Sequence, residues 1–304
     1  MRAVGADLRD NLEAMPSPNL ADTLAPARHD TAPFPHYRVE GALGADVAGA
    51  LIAQFPALDL ITRGAEVGDN RRFSFSAADA IDDARLAPLW RDFVAMHVSQ
   101  AFLDGVLRAL APDIRTAFPD IEARMGKPLE QWRAGLRRRQ TFADCEVLLD
   151  AQVCVNTPVL RAASSVRGPH VDKPNKLFAG LYYLRPPGDT TTVGGELQLY
   201  RYTNPRAHFD GAELEPRDVE LAATVPYAAD TFVLFVNSLD AVHGVTPRQP
   251  TPATRLFFNL IGEVAFPLFD LKARQQPLRG LRRALRRVGD RLAGRQRDSG
   301  QRYD

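Results

Sequence analysis

The chain changes texture at about residue 148. Beyond it, short runs rich in β-branched and aromatic residues alternate with turn residues: Cys154 to Val159, Leu177 to Leu184, Glu196 to Tyr202, Thr231 to Val236 and Leu256 to Val264. Runs of this length and composition favour strands over helices. Ahead of them the pattern is helical. Asp46 is placed to cap a helix carrying Val47, Leu51 and Phe55, and Trp90, Phe93, Val94, Val98 and Phe102 recur at three- and four-residue steps across 88 to 110. These stripes, with His97 inside the second, are read as core. Helices followed by many short strands predict an α+β chain with a mainly β core, the helices packed outside a jelly-roll or similar two-sheet barrel. The expected divisions are an extended arm rich in Ala, Pro and Asp over 1–35, a helical support region over 36–147, a jelly-roll core over 148–268 and a basic tail over 269–304.

At 304 residues, 45% hydrophobic and 25% charged, the chain has ample material for a core. Its formal net charge of +1 gives no general attraction to nucleic acid or membrane, but the charge is unevenly placed. From Lys272 onward there are eleven Lys/Arg against three Asp. Leu278, Leu281, Leu285, Val288 and Leu292 lie at helical spacing opposite Arg279, Arg282, Arg283, Arg286, Arg287 and Arg291. This predicts a C-terminal basic amphipathic helix within 278–297. Packing on its own domain or a second subunit, resting on an anionic membrane face and docking on an acidic partner all remain open. Cys145 and Cys154 are too few for a disulfide framework and match no zinc or redox spacing. No apolar run approaches a membrane span, and Asp7, Asp10 and Glu13 break the order of a signal peptide. The expected location is the cytoplasm, with peripheral contact at the inner face of a membrane as the tail's alternative.

In Gly168-Pro169-His170-Val171-Asp172 a histidine and a carboxylate stand two residues apart, a spacing that on a strand points both side chains to one face. A third ligand is offered by His243, 73 residues beyond His170. Two imidazoles and one carboxylate on one face of an octahedral metal leave up to three positions open, an arrangement suited to non-heme iron(II) and oxygen; ligand type alone also admits a zinc hydrolase. A second H-x-D, His208-Phe209-Asp210, lies among Asn204, Pro205 and Gly211 and reads as a loop, too close to His243 in sequence to share a barrel site with it.

Five features follow in order: the first H-x-D, Gly180-Leu181-Tyr182-Tyr183-Leu184, Gly194-Gly195-Glu196-Leu197, His243 and Arg255. With these, residues 150 to 265 resemble the iron(II)/2-oxoglutarate dioxygenases of the prolyl-4-hydroxylase type, in which a Tyr-Leu strand, a Gly-Gly-Glu-Leu hairpin and a basic residue about ten positions after the distal histidine follow the H-x-D. The resemblance implies a double-stranded β-helix, with His170, Asp172 and His243 as Fe(II) ligands and Arg255 as partner of the distal carboxylate of 2-oxoglutarate. A buried dicarboxylate needs such a permanently charged donor fork. Tyr183 is aligned to donate its hydroxyl there, with Tyr182 facing the other side. Asn156 is placed to reach the metal surroundings or to act as a structural amide.

The chain also departs from the pattern. The gap from His243 to Arg255 is twelve residues, with Gln249-Pro250-Thr251-Pro252 reading as a small turn insertion, which makes Arg248 a rival, and Phe257 stands where a serine or threonine is common. The implied activity is hydroxylation of an unactivated C–H bond, with O2 consumed and succinate and CO2 released. Halogenases of the family lack the metal carboxylate, so Asp172 argues for hydroxylation, while demethylation, desaturation and epimerisation share the ligand set. The expected substrate is a small molecule or a carrier- or glycan-linked group, a protein side chain of prolyl type being the alternative. Related nucleic-acid demethylases carry a second arginine where this chain has Ile261, which argues against nucleic acid. Lys173, Lys176 and Arg185 flank the metal strands as candidate anion-attracting residues or solvated surface charge. A non-catalytic metal-binding jelly roll is the reading from another class.

Overall fold

The computed structural model describes residues 18–272. The basic helix expected within 278–297 lies outside the described residues. The architecture is mixed α+β and mostly β. Its strands are β1 (Arg28–Asp30), β2 (His36–Glu40), β3 (Arg72–Phe75), β4 (Ala134–Leu136), β5 (Val147–Asn156), β6 (Lys176–Tyr183), β7 (Leu197–Tyr202), β8 (Phe209–Asp210), β9 (Glu213–Leu214), β10 (Val219–Val225), β11 (Thr231–Val236), β12 (His243–Val245) and β13 (Arg255–Glu263). The helices are α1 (Ala45–Ala53), α2 (Leu58–Thr62), α3 (Ala77–Ala80), α4 (Pro88–Met96), α5 (Gln100–Ala117) and α6 (Ile121–Met125).

A large sheet has the order β1-β2-β11-β6-β13-β5-β3, with β4 added in parallel to β5; a small sheet has the order β10-β7-β12. Strand alternation gives the large sheet two buried faces. One packs on the helices: Trp90, Phe93, Phe102, Tyr182, Leu234, Phe258 and Leu260 share one apolar cluster. The other faces the small sheet, where Cys154, Ala179, Tyr183, Val233, Phe235 and Phe257 pack against Leu197, Leu199 and Val225. Each fully buried Phe or Leu side chain contributes about 1.5–3 kcal/mol.

Three details differ from the sequence expectation. The stretch 36–147 also supplies strands: Tyr37 and Val39 of β2 and Phe73 and Phe75 of β3 turn their apolar side chains to the helices, which extends the large sheet at both ends beyond β11 and β5. The apolar stripe over 88–110 is two helices, because Ser99 caps α5 by accepting from Phe102 N–H at 3.2 Å. Asp46 lies in the first turn of α1, whose N-cap is Gly44.

His97 sits between α4 and α5, fully buried, its Nδ1 bonded to Phe93 O at 2.7 Å and its Nε2 accepting from Leu20 N–H at 3.1 Å. These bonds require the neutral ring, and burial lowers its pKa to about 4. A depressed pKa means that the stabilisation is complete above the unfolded value near 6.5 and is lost as pH falls toward 4. The wild-type unfolding free energy should therefore drop between pH 7 and pH 4 by on the order of 3 kcal/mol more than that of His97→Gln, measured by chemical denaturation. Parallel pH profiles would count against this role.

Candidate metal centre and arginine pocket

His170 and His243 are joined by reciprocal backbone bonds, His170 N–H to His243 O and His243 N–H to His170 O, each 2.9 Å. This pairing adds the H-x-D segment to the free side of β12. Both imidazoles then face the interior with ring centroids 4.2 Å apart, and Asp172 follows two residues on. One ligand atom from each of the three buried residues lies within 4.8 Å of the others, so the three can hold a metal ion.

Each Nδ1 is bonded to the carbonyl two residues earlier, His170 to Gly168 O at 2.8 Å and His243 to Ala241 O at 2.9 Å. A carbonyl only accepts, so Nδ1 carries the hydrogen and each Nε2 keeps its lone pair for a ligand bond. Burial lowers both imidazole pKa values, His170 well below its usual range, with the neighbouring ring and Arg167 adding to the effect. For Asp172 burial alone would raise the pKa, but Lys176 and the two imidazoles outweigh it and keep the carboxylate ionised. Lys176 Nζ lies 3.1 Å and Arg167 Nη1 3.5 Å from Asp172 Oδ1.

Arg255 opens β13 on the face of the large sheet that looks toward the small sheet, in register with Asn156, and is only 2% exposed. Its Nε donates to Gly195 O at 2.9 Å and its Nη1 to Asn156 Oδ1 at 3.1 Å. The rings of Tyr183, Tyr227 and Phe257 surround the guanidinium at 4.9, 5.0 and 4.8 Å. No ion pair among the described residues involves Arg255. Around it, the Tyr183 hydroxyl, Asn156 Nδ2 and Arg248 Nε are buried without a hydrogen-bond partner. Burial raises the Tyr183 pKa, opposed by the Arg255 charge, so the phenol stays protonated as a donor.

Arg248 is buried too, but its Nη atoms are spent on backbone, on Thr157 O at 2.9 Å and Ala253 O at 2.6 Å. The Pro-rich stretch after it is pinned to the loop following β5 through Thr251 and Val159. Tyr182 lies on the helix side, bonded to Asp230 Oδ1 at 2.8 Å. Asn156 sits at Arg255 and not at the triad. The Gly194-Gly195 pair forms no hairpin turn; both have positive φ, 88° and 86°, and a Cβ on Gly194 would lie 2.1 Å from Pro247 O. Backbone contact is what demands glycine there, and it places Gly195 O on Arg255. Gly194→Ala should lower the melting temperature by several degrees, and an unchanged thermal denaturation curve would contradict the packing argument.

The segment read as a loop at His208 to Asp210 is part of the β8–β9 hairpin, laid beside the H-x-D strand through Val171 N–H to Ala212 O at 3.1 Å and Leu214 N–H to Pro169 O at 2.9 Å. Its own H-x-D contributes nothing to the metal-capable group. The sequence reading does not find Arg167, since nothing local marks an arginine five positions before Asp172 as its neighbour in space.

No protein-family model matches the chain, and no curated protein matches it. Solved structures similar to it include a prolyl 4-hydroxylase from Phytophthora capsici, at 16% identity over 81% of this chain and 64% of that one, TM-score 0.42. This chain thus spans less than two thirds of that neighbour's length. A Pseudomonas putida prolyl-4-hydroxylase matches at 13% identity over 81% of this chain and 100% of that one, TM-score 0.39. A rice dioxygenase for auxin oxidation matches at 16% over 80% and 76%, TM-score 0.40. Among the described residues, no helix is long and apolar enough to cross a membrane.

The donor set gives a direct test. The wild-type protein should bind one equivalent of Ni(II), and His243→Ala should lose more than the 10- to 100-fold typical of removing a residue that only supports a ligand. Equal Ni(II) affinity by calorimetry would remove the three residues as a metal site.

Proposed function

We propose that the chain is an iron(II)/2-oxoglutarate-dependent oxygenase that hydroxylates a C–H bond, with His170, Asp172 and His243 holding the metal and Arg255 holding the distal carboxylate of 2-oxoglutarate. The observation that carries this reading is the buried Arg255 guanidinium, which has no anionic partner among the described residues and is ringed by unpaired donors. An unpaired buried charge costs several kcal/mol, so the pocket is built for an anion that arrives with the reaction. The metal triad, on the small sheet that faces the Arg255 side of the large sheet, makes a keto acid the fitting anion, since its other end can chelate.

The strand order supports a double-stranded β-helix. Reading β5, the H-x-D segment, β6, β7, β10, β11, β12 and β13 as eight barrel strands, the first, eighth, third and sixth are neighbours in one sheet, and the second, seventh, fourth and fifth in the other. When bound, the iron and keto acid supply the oxidising power, with O2 reduced, 2-oxoglutarate converted to succinate and CO2, and one oxygen atom delivered to the substrate. The chain's residues do the positioning. The backbone carbonyls of Gly168 and Ala241 fix both imidazole tautomers, Lys176 beside Asp172 keeps it ionised, and Arg255, Tyr183 and Asn156 offer N–H and O–H donors to the distal carboxylate. Phe257, beside them, offers none.

Succinate formation with iron(II), 2-oxoglutarate and O2 tests the proposal, and Asp172→Ala should abolish it with the fold retained. Arg255→Gln should raise the 2-oxoglutarate concentration needed by about 30-fold or more, as expected for truncating one partner of a buried charge pair, at unchanged metal affinity. Tyr183→Phe should raise it about tenfold. Unaltered 2-oxoglutarate dependence in Arg255→Gln would overturn the assignment of the pocket.

A further inference from the structure

The interior face continues past the barrel at one edge. On β3, Arg72 stands opposite Asn156 and Ser74 opposite Cys154, on the same face as Arg255, Tyr183 and Phe257. The helix-facing residues of this strand are covered, Phe75 fully and Phe73 partly, whereas Arg72 and Ser74 are exposed. An interior-facing side chain that is exposed marks where the interior opens to solvent, so the β3 edge is a mouth of the site.

Arg72 is a cation at that mouth without a carboxylate. No ion pair among the described residues involves it; its guanidinium rests over the Phe257 ring at 5.1 Å, with Nη2 3.7 Å from Cys154 Sγ. The charges of Arg72 and Arg255 both act on the Tyr183 phenol. Two strand spacings, about 9.5 Å, separate the backbones of the two arginines, one deep and one at the opening. The segment that carries the metal ligands enters beside this edge: Asn70 Nδ2 donates to Ser164 O at 2.8 Å, Thr157 N–H to Arg71 O at 2.9 Å, and the loop then runs to Arg167 on the rim at Asp172. Two other basic residues near the site are committed elsewhere. Arg185 donates to Asp189 O and Thr192 O at 3.0 and 2.9 Å, and Lys176 is paired with Asp172.

We propose that the primary substrate is an anion whose carboxylate or phosphate pairs with Arg72 at the β3 mouth. This rests on the oxygenase reading of the same site. It makes Arg72 a specificity-determining residue, separate from the co-substrate's Arg255.

The test uses the full chain loaded with Ni(II), followed by calorimetry at low ionic strength. 2-Oxoglutarate is titrated first, then phenyl phosphate or benzoate into the loaded protein. Wild type should bind one equivalent of at least one probe, and the preferred probe shows which oxyanion the mouth takes. Arg72→Gln should weaken that binding at least tenfold, Arg72→Lys should recover part of it, and both should keep 2-oxoglutarate affinity within twofold. Equal probe affinity in Arg72→Gln, or no probe binding to wild type, would overturn the proposal. So would a loss of 2-oxoglutarate affinity matching the probe's, which would assign Arg72 to the co-substrate. Failure of wild type to bind 2-oxoglutarate would strike down the oxygenase reading itself, and it registers before either probe is added.

Discussion

The site depends on the two backbone bonds that tie His170 to His243. They join residues 73 apart in sequence into one register, and strand alternation does the rest. A slip of one residue in that pairing would send His170 or His243 to the outer face of the small sheet and Val171 or Val242 inward. The apolar cluster formed by Val171, Val242, Phe209 and Leu214 on the outer face opposes such a slip. Burial of these neighbours and placement of the ligands are therefore one constraint seen from two sides of a sheet.

Much of this was legible in the sequence where a short-range rule applied. The run Thr231–Val236 coincides with β11, and the H-x-D spacing gave the shared face of His170 and Asp172, because both follow from the period of a strand. Other features needed long-range contacts. β10, Val-Glu-Leu-Ala-Ala-Thr-Val, carries a bulge and too little apolar alternation to stand out. The first half of β5 was obscured by Asp150, whose carboxylate is buried because it accepts from Ala77 N–H at 3.0 Å and pairs with Arg137 at 3.3 Å. Arg72 could not be found at all from a helical context, since its role follows from an edge strand that joins the sheet from outside the barrel.

The two arginines before the Phe-rich strand show how environment separates identical side chains. Arg248 and Arg255 are both buried and share Gly195 as a neighbour. Arg248 spends its terminal nitrogens on the backbone carbonyls of Thr157 and Ala253, which makes it a brace between the loop after β5 and the turn before β13. Arg255 has aromatic walls, the Gly195 carbonyl at its Nε and one side-chain amide oxygen at its terminal nitrogens. Sequence spacing ranked the two by distance from His243; the structure separates them by what surrounds each terminal nitrogen, backbone carbonyls for Arg248 and aromatic rings for Arg255.

The β8–β9 hairpin has a consequence beyond local packing. By bonding to Pro169 and Val171 it occupies the outer margin of the strand that bears two of the three triad residues. Without it, that margin would be a row of unmet amides and carbonyls beside the metal-capable triad, open to a strand from another molecule. The insertion between β7 and β10 thus acts as a selvedge, which keeps the sheet from fraying into self-association at the place where a foreign strand would do most harm.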